Sequence, residues 1–448
     1  MHKIGEYAPV APTLKQAFWY WLKLGFISFG GPAGQIAIMH TDLVENKRWI
    51  SEKRFLHALN YCMVLPGPEA QQLATYIGWL MHKTRGGLIA GGLFVLPSLF
   101  ILMLLSTIYM RFGDVPAVAG VLYGIKPAVV AIVLFAAYRI GLRALKNKAL
   151  WAIAAASFLA ITLLKLPFPL IVGLAALIGY LGNRFVPILF ASGGGHEAAD
   201  KSFGKAVIDD DTPTPAHAHF SWQSLVKYLL IGMAIWIAGM ALLTALYGWQ
   251  AVYTQLAWFF TKAALLTFGG AYAVLPYVYQ GAVTHYAWLT STQMMDGLAL
   301  GETTPGPLIM VVAFVGFVGG WSHATLYSPM VSAMLAACVV TFFTFLPSFI
   351  FIFMGAPFIE STKNNLKLTA PLSAITAAIV GVIVALGLFF AMHVFWPNGF
   401  LTNSLQADWL AMLAAALGFV ALFKFKVNTI KLIGVFALFG LAHNFLAA

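Results

Sequence analysis

Thirteen predominantly apolar runs, parted by short polar loops, take up most of the chain: 14–41, 55–81, 87–110, 116–138, 149–164, 168–190, 224–248, 252–283, 292–321, 329–355, 370–394, 408–423 and 429–446. Runs of this length and apolarity predict helices of membrane-crossing size. Four of them are interrupted by residues that break helices. The interruptions are Gly30-Gly31-Pro32, Pro66-Gly67-Pro68, Gly269-Gly270 and Pro305-Gly306-Pro307. They come in pairs 239 positions apart, and their surroundings return with them. Trp19 and Lys23 become Trp258 and Lys262, and Trp49 becomes Trp288. Leu96-Pro97-Ser98 and Leu346-Pro347-Ser348, 250 apart, extend the repeat into the third element. A fixed offset of this kind marks a duplicated unit. The pattern divides the chain into a first repeat (1–191), a polar linker (192–223), a connecting helix (224–250) and a second repeat (251–448). The linker, with Gly193-Gly194-Gly195 and Asp209-Asp210-Asp211, reads as flexible, and His217 and His219 within it as solvated.

Composition changes the picture only by excluding a soluble fold. The chain has 448 residues, of which 61% are hydrophobic and 9% charged, against roughly 25% charged in soluble domains. The excess of Lys and Arg lies in short loops, where it reports orientation and not a nucleic-acid partner. If every run crossed the membrane, the basic loop at 42–54 would fall outside. If each interrupted run instead enters and leaves on one side, all but five of the 26 Lys and Arg are cytoplasmic or at span ends. The exceptions are Arg111, Lys165, Lys23, Lys126 and Lys262, and the loops at 284–291, 322–328 and 395–407 carry none. The unmatched run 224–248 then inverts the second copy. The expected fold is an all-α polytopic membrane protein of two inverted-topology repeats, each with two broken, re-entrant hairpins followed by transmembrane helices. The N-terminus and the linker are expected in the cytoplasm and the C-terminus outside. Residues 1–13 do not read as a cleavable signal. Cys62 and Cys338 read as packing residues, and Trp19, Trp49, Trp258 and Trp288 as interface-belt residues.

The candidate chemistry sits at the interruptions. A helix start offers unpaired N–H groups and a positive dipole end, which suits an anion. The proposed substrate-binding set is Lys23, Gly30, Gly31, Pro32, Pro66, Gly67 and Pro68 in the first copy. Lys262, Gly269, Gly270, Pro305, Gly306 and Pro307 form the second. The glycines read equally as close-packing surfaces, and the two lysines as snorkelling side chains. Lys126 suits either a carboxylate partner or the substrate. Glu69 and Glu302, beside the Pro-Gly-Pro motifs, are candidate proton carriers, or else hydrogen-bonded caps. Neither a nucleotide-binding motif nor a catalytic or metal-ligating constellation appears, so no cofactor, no metal and no enzymatic activity are expected.

At Phe29-Gly30-Gly31-Pro32, Pro66-Gly67-Pro68, Phe268-Gly269-Gly270 and Pro305-Gly306-Pro307 the chain resembles the chromate ion transporter family in its long, two-domain bacterial form. The resemblance covers nearly everything outside the linker and the tails, and Ala271 departs from the proline of the first copy. It implies a secondary transporter of the bacterial inner membrane that exports chromate and confers resistance; uptake or exchange of sulfate is the alternative. The partners expected are a small inorganic oxyanion, the lipid bilayer and, at most, a second copy of the chain as a homodimer.

Overall fold

The structure, a computed structural model, describes residues 9–29, 31–113, 115–185, 203–268, 270–323, 327–361, 369–397 and 407–447. Among these residues the regular elements are all helical apart from one bridge between Ile50 and Ile208. The first repeat runs α1 (Leu14–Ile27), α2 (Gly31–His40), α3 (Glu52–Val64), α4 (Glu69–Phe112), α5 (Pro116–Ala144), α6 (Lys148–Thr162) and α7 (Phe168–Phe185). A single helix follows, α8 (Trp222–Tyr247). The second repeat runs α9 (Val252–Leu265), α10 (Ala271–Tyr279), α11 (Ser291–Thr303), α12 (Val311–His323), α13 (Pro329–Ser361), α14 (Thr369–Phe395), α15 (Trp409–Phe423) and α16 (Thr429–Ala447). Six of the helices are long and apolar enough to cross a membrane, and the protein is a multi-pass membrane protein.

Helix length separates two kinds of element. At about 1.5 Å per residue, α1, α2 and α3 are too short to cross a hydrocarbon layer of about 30 Å. They have 14, 10 and 13 residues, and α9, α10 and α11 match them with 14, 9 and 13. At 44 residues α4 is too long for one straight crossing, and it is broken at His82 and Lys83, where φ is −133° and +57°. The loop expected at 82–86 is therefore a two-residue kink, tied down by His82 Nε2 to Pro12 O at 2.8 Å.

The duplication extends to the backbone of the loops. The π-helical turns Thr41–Asn46 and Gln280–His285 are 239 apart, as are the positive φ values of Arg48 (+51°) and Ala287 (+50°). Trp49 N–H donates to Leu43 O and Trp288 N–H to Ala282 O, both at 2.8 Å. Further along, the offset grows to 261. Asn147 caps α6 as Asp408 caps α15, and Lys165 (+52°) matches Lys426 (+49°). Among the described helices only α8 has no counterpart.

The long helices interlock across the repeats. From the first repeat, α5 packs on α15 and α16, while α14 of the second repeat packs on α6 and α7; α5 and α14 meet each other. The six form one body, and the crossing of α5 with α16 depends on glycine. A Cβ on Gly124 would come 2.0 Å from Phe436 O, and one on Gly440 would come 2.5 Å from Gly124 Cα. The short helices, with α4, α12 and α13, form a second unit around the α1–α4, α9–α13 and α4–α13 contacts.

Several expectations are corrected. The linker is ordered from residue 203 to 221, its earlier part lying outside the described residues. Val207 and Ile208 N–H donate to Arg48 O and Trp49 O at 2.9 and 3.1 Å, and Ser51 N–H donates back to Ile208 O at 2.9 Å. Arg54 donates to Thr212 O at 2.7 Å and pairs with Glu360 at 2.9 Å. His217 is not solvated: its Nε2 meets Trp79 O at 3.0 Å, and burial lowers the imidazole below its ordinary pKa. The polar composition misled because an extended strap needs few apolar residues once a loop backbone pairs with it; Ile208 and Ala218 supply the burial. Trp49 and Trp288 are core residues, whereas Trp19 is exposed; the stack of Trp288 on Tyr286 at 4.3 Å shows what replaces the lipid interface. Cys62 is buried as expected, but Cys338 is exposed.

Replacing Gly124 or Gly440 by Val should force α5 and α16 apart. Overpacking of this kind costs about 1–3 kcal/mol, to be read as a lower melting temperature in detergent, while Gly173→Val, whose Cβ would meet nothing within 4 Å, should be close to neutral.

Candidate functional site

The four interruptions meet, and they do so reciprocally. Gly67 N–H donates to Thr267 O at 2.7 Å, and Gly306 N–H donates to Ser28 O at 2.8 Å. Since 67 corresponds to 306 and 28 to 267, each repeat gives the other the same bond, as in a self-complementary two-fold contact. A Cβ on Gly67 would come 2.4 Å from Ser348 Oγ, and one on Gly306 would come 2.8 Å from Ser98 Cβ. Ser98 and Ser348 are themselves a matched pair, each following the proline of its Leu-Pro-Ser. A third reciprocal pair lies further out: Tyr109 Oη donates to Asp296 Oδ2 at 2.9 Å, and His57 Nε2 meets Ile359 O at 3.1 Å.

The two kinds of glycine serve different ends. Gly67 (φ +128°) and Gly306 (φ +95°) are packed against the opposite repeat, and a side chain would collide there. Gly31 (φ +68°) and Gly270 (φ +98°) also hold left-handed backbone, yet a Cβ at either would meet nothing within 4 Å. The open alternatives thus divide: the Pro-Gly-Pro glycines are close-packing, and the Gly-Gly tips have free space beside the main chain. Gly30 and Gly269 lie outside the described residues.

Helix starts at the tips are left without side-chain caps. Pro68 before α4, Gly270 before α10 and Pro307 before the 3-10 turn Leu308–Met310 supply none. Away from the tips the matched residues Ser51 and Thr290 do cap α3 and α11. A proline or glycine in the cap position leaves the first N–H groups of the helix free for a ligand. Pro32 is the second residue of α2, and Pro305 is buried just before Gly306.

Buried polar side chains line this junction, and sequence reasoning missed most of them. Gln35 Nε2 donates to Ser28 O and Gly306 O, and Gln72 Nε2 donates to Pro66 O at 2.8 Å. Gln71 Nε2 donates to Thr75 Oγ1 at 3.0 Å. Among the described residues Ser28 Oγ, Ser98 Oγ and the Oε1 atoms of Gln35, Gln71 and Gln72 are buried without a partner. Groups in that condition are where water or ligand is expected. Their distribution is one-sided. Gln35, Gln71, Gln72 and Thr75 face, at the matched positions of the second repeat, Val274, Met310, Val311 and Phe314. Two adjacent glutamines and a threonine inside a run as apolar as 55–81 were the legible signal.

The ionisable candidates are dispersed. Lys23 is exposed on the stripe of α1 that presents Trp19 and Phe26, and Lys262 lies half-buried with its ammonium 5.3 Å from the Trp258 ring. Glu302 is half-buried and accepts a hydrogen bond from Tyr272 Oη. Glu69 is the first residue of α4, also half-buried. Lys126 sits within charge range of Asp296, a buried carboxylate on α11 that had not been singled out. No group of three or more His, Cys, Asp or Glu placed to hold a metal occurs among the described residues.

Gly67→Ala and Gly306→Ala should each destabilise the protein by at least about 2 kcal/mol, from left-handed strain plus collision. Gly31→Ala and Gly270→Ala should cost only the strain, about 1–2 kcal/mol. Thermal unfolding in detergent separates the two pairs.

The family described as Chromate transporter matches residues 15–180 and, again, 254–441. Among curated proteins the chain is similar to a "Chromate transport protein" of Cupriavidus metallidurans, 30% identical over 83% of this chain and 81% of that protein. A "Chromate transport protein" of Pseudomonas aeruginosa is 31% identical over 96% of this chain and 92% of its own length. A "Probable chromate transport protein" of Synechococcus elongatus is 29% identical over 84% and 85%. No solved structure matches the chain. The two matched regions coincide with the two repeats, and the chain belongs to the chromate transporter family.

Proposed function

We propose that the protein is a secondary transporter that moves chromate out of the cell across the bacterial inner membrane, binding it where the four tips meet. The observation that carries this is the pair of glycine-opened helix starts, Gly31-Pro32 and the uncapped Gly270, beside the junction of Gly67 and Gly306. Pro68 and Pro307, in the motifs that also hold Pro66 and Pro305, precede the other two helix starts and give them no side-chain cap either. Backbone donors and the hydroxyls of Ser28 and Ser98 suit an oxyanion that must shed water without meeting a full positive charge. Lys23 and Lys262 stand outside this site.

Export is electrically downhill. One charge across 100 mV is worth about 2.3 kcal/mol, so a dianion gains about 4.6 kcal/mol, enough for a roughly 2000-fold outward gradient. Inversion of the repeats is supported by the Lys and Arg distribution and by the single unmatched crossing of α8. It puts the N-terminus and the strap in the cytoplasm and the C-terminus outside. Glu69 and Glu302 are the groups we assign to any proton carried with the anion, each at the end of a half-helix beside a Pro-Gly-Pro.

Labelled chromate should accumulate in inverted vesicles energised with a positive interior, with excess sulfate as competitor; no accumulation over vesicles lacking the protein would sink the assignment. Glu69→Gln and Glu302→Gln should abolish a pH-driven component of that flux and leave binding intact. Lys23→Met and Lys262→Met should alter affinity by less than about fivefold, the worth of a solvated charge; a loss of roughly 30-fold or more would return them to the site.

Lys53 and Thr292 are matched positions, 239 apart and both exposed. Single cysteines there, in a background lacking Cys62 and Cys338, should label from opposite faces of the membrane. Labelling from one face would rule out inversion.

A further inference from the structure

Both units of the protein obey the two-fold relation separately, but their contact with each other does not. Within the hairpin unit, α1 packs on α4 as α9 packs on α13. Within the six-helix body, α5 packs on α15 and α16 as α14 packs on α6 and α7. Between the units, α10 packs on α14 and α7, and α11 packs on α5, α14 and α16. Their counterparts α2 and α3 have no comparable packing against the body among the described residues.

The apolar cores show the same break. One continuous core joins α9–α13 to residues of α5, α7, α14, α15 and α16. The other holds α1–α4, the end of α13 and two residues of the strap, and contains no residue of the body. The faces concerned differ residue by residue. On α11, Met295 is 2% exposed and Ala299 0%. At the matched positions of α3, Leu56 and Asn60 are half-exposed, and Met63 one turn on is 40% exposed. On α10, the Tyr279 ring packs at a tilt against Phe389 of α14, centroids 4.7 Å apart, and Gln280, just beyond its end, accepts from Phe168 N–H at 3.1 Å. The body near Glu69 carries charge: Arg139 and Arg143 on α5 are exposed, and Glu69 lies within the range of the Arg143 charge.

A molecule made of two self-symmetric units, joined by an asymmetric contact, has a second arrangement of nearly the same kind in which the contact is exchanged. We propose that this structure is one of two access states, closed where α10 and α11 meet the body and open where α2 and α3 do not. The other state forms when α2 packs on α5 and α16, and α3 on α14 and α7, as α10 and α11 release. The polar junction of the tips then faces alternate sides of the membrane while its reciprocal hydrogen bonds stay intact. This rests on the protein being a transporter with inverted repeats, and on nothing about which anion it carries.

The test is to lock the closed face. In a background lacking Cys62 and Cys338, Tyr279→Cys with Phe389→Cys places two thiols across the α10–α14 contact, to be bridged by a short bis-methanethiosulfonate. Phe168→Cys with Gln280→Cys is a second pair on the same face, should loss of the aromatic stack impair folding. In proteoliposomes the bridge should cut chromate exchange at least tenfold, with recovery on reduction, and unchanged exchange would overturn the proposal. A ligand-free arm separates this from the choice of substrate. Met63→Cys should react with maleimide quickly whether or not the bridge is present. Ala299→Cys should react slowly without the bridge and not at all with it. Equal reaction of Ala299→Cys in both conditions, or none in either over hours, would overturn the two-state exchange even if chromate proves not to be carried.

Discussion

Main-chain groups at membrane depth have no water to bond, so every break in a helix must be satisfied by protein or ligand. The exchange of bonds between Gly67 N–H and Thr267 O, and between Gly306 N–H and Ser28 O, meets that demand at two of the four breaks. Each repeat closes the other's break, which means neither repeat is complete alone. The glycines are required because nothing larger fits against Ser348 or Ser98 at a positive φ. The interlocking of α5 with α15 and α16, and of α14 with α6 and α7, is the same dependence on a larger scale.

The two repeats have diverged at the junction of their breaks. Their loops keep matching dihedral angles and hydrogen bonds, down to Arg48 and Ala287. Their lining does not: Gln35, Gln71, Gln72 and Thr75 stand opposite Val274, Met310, Val311 and Phe314. A two-fold scaffold with polar groups from one side can orient a tetrahedral ion and still offer backbone donors from both. Membership in the chromate transporter family fits such a site, since small oxyanions are held well by helix starts.

Fold class and duplication were legible in the chain because apolar runs and helix breakers are local. The run boundaries survive in the structure with few changes, as at His82 and Lys83, where a loop became a kink. The second half of each repeat was harder to align by eye, because the offset moves from 239 to 261 and the residues of transmembrane helices interchange freely. The paired caps Asn147 and Asp408 recover it. At the junction of the breaks, the positions of Gly31, Gly67, Gly270 and Gly306 were legible as helix breakers, whereas the part taken by Ser28, Thr267 and the glutamines was not, since a lone polar residue in an apolar run carries no period. Lys23 and Lys262 share a matched spacing, but spacing along a helix says nothing of exposure, and only Lys23 is fully exposed.

What the sequence determined by itself is therefore the class of the protein, the existence of two copies and the places where their helices break. These follow from hydropathy and from the backbone limits of glycine and proline, which act on the nearest few residues. Tertiary structure alone decided that Gly67 packs while Gly31 opens space, that residues 203–221 strap a loop, and that α10 and α11 touch the body while α2 and α3 stand off. Each of these depends on which surfaces meet across hundreds of residues, and the local pattern of a helix is compatible with several partners.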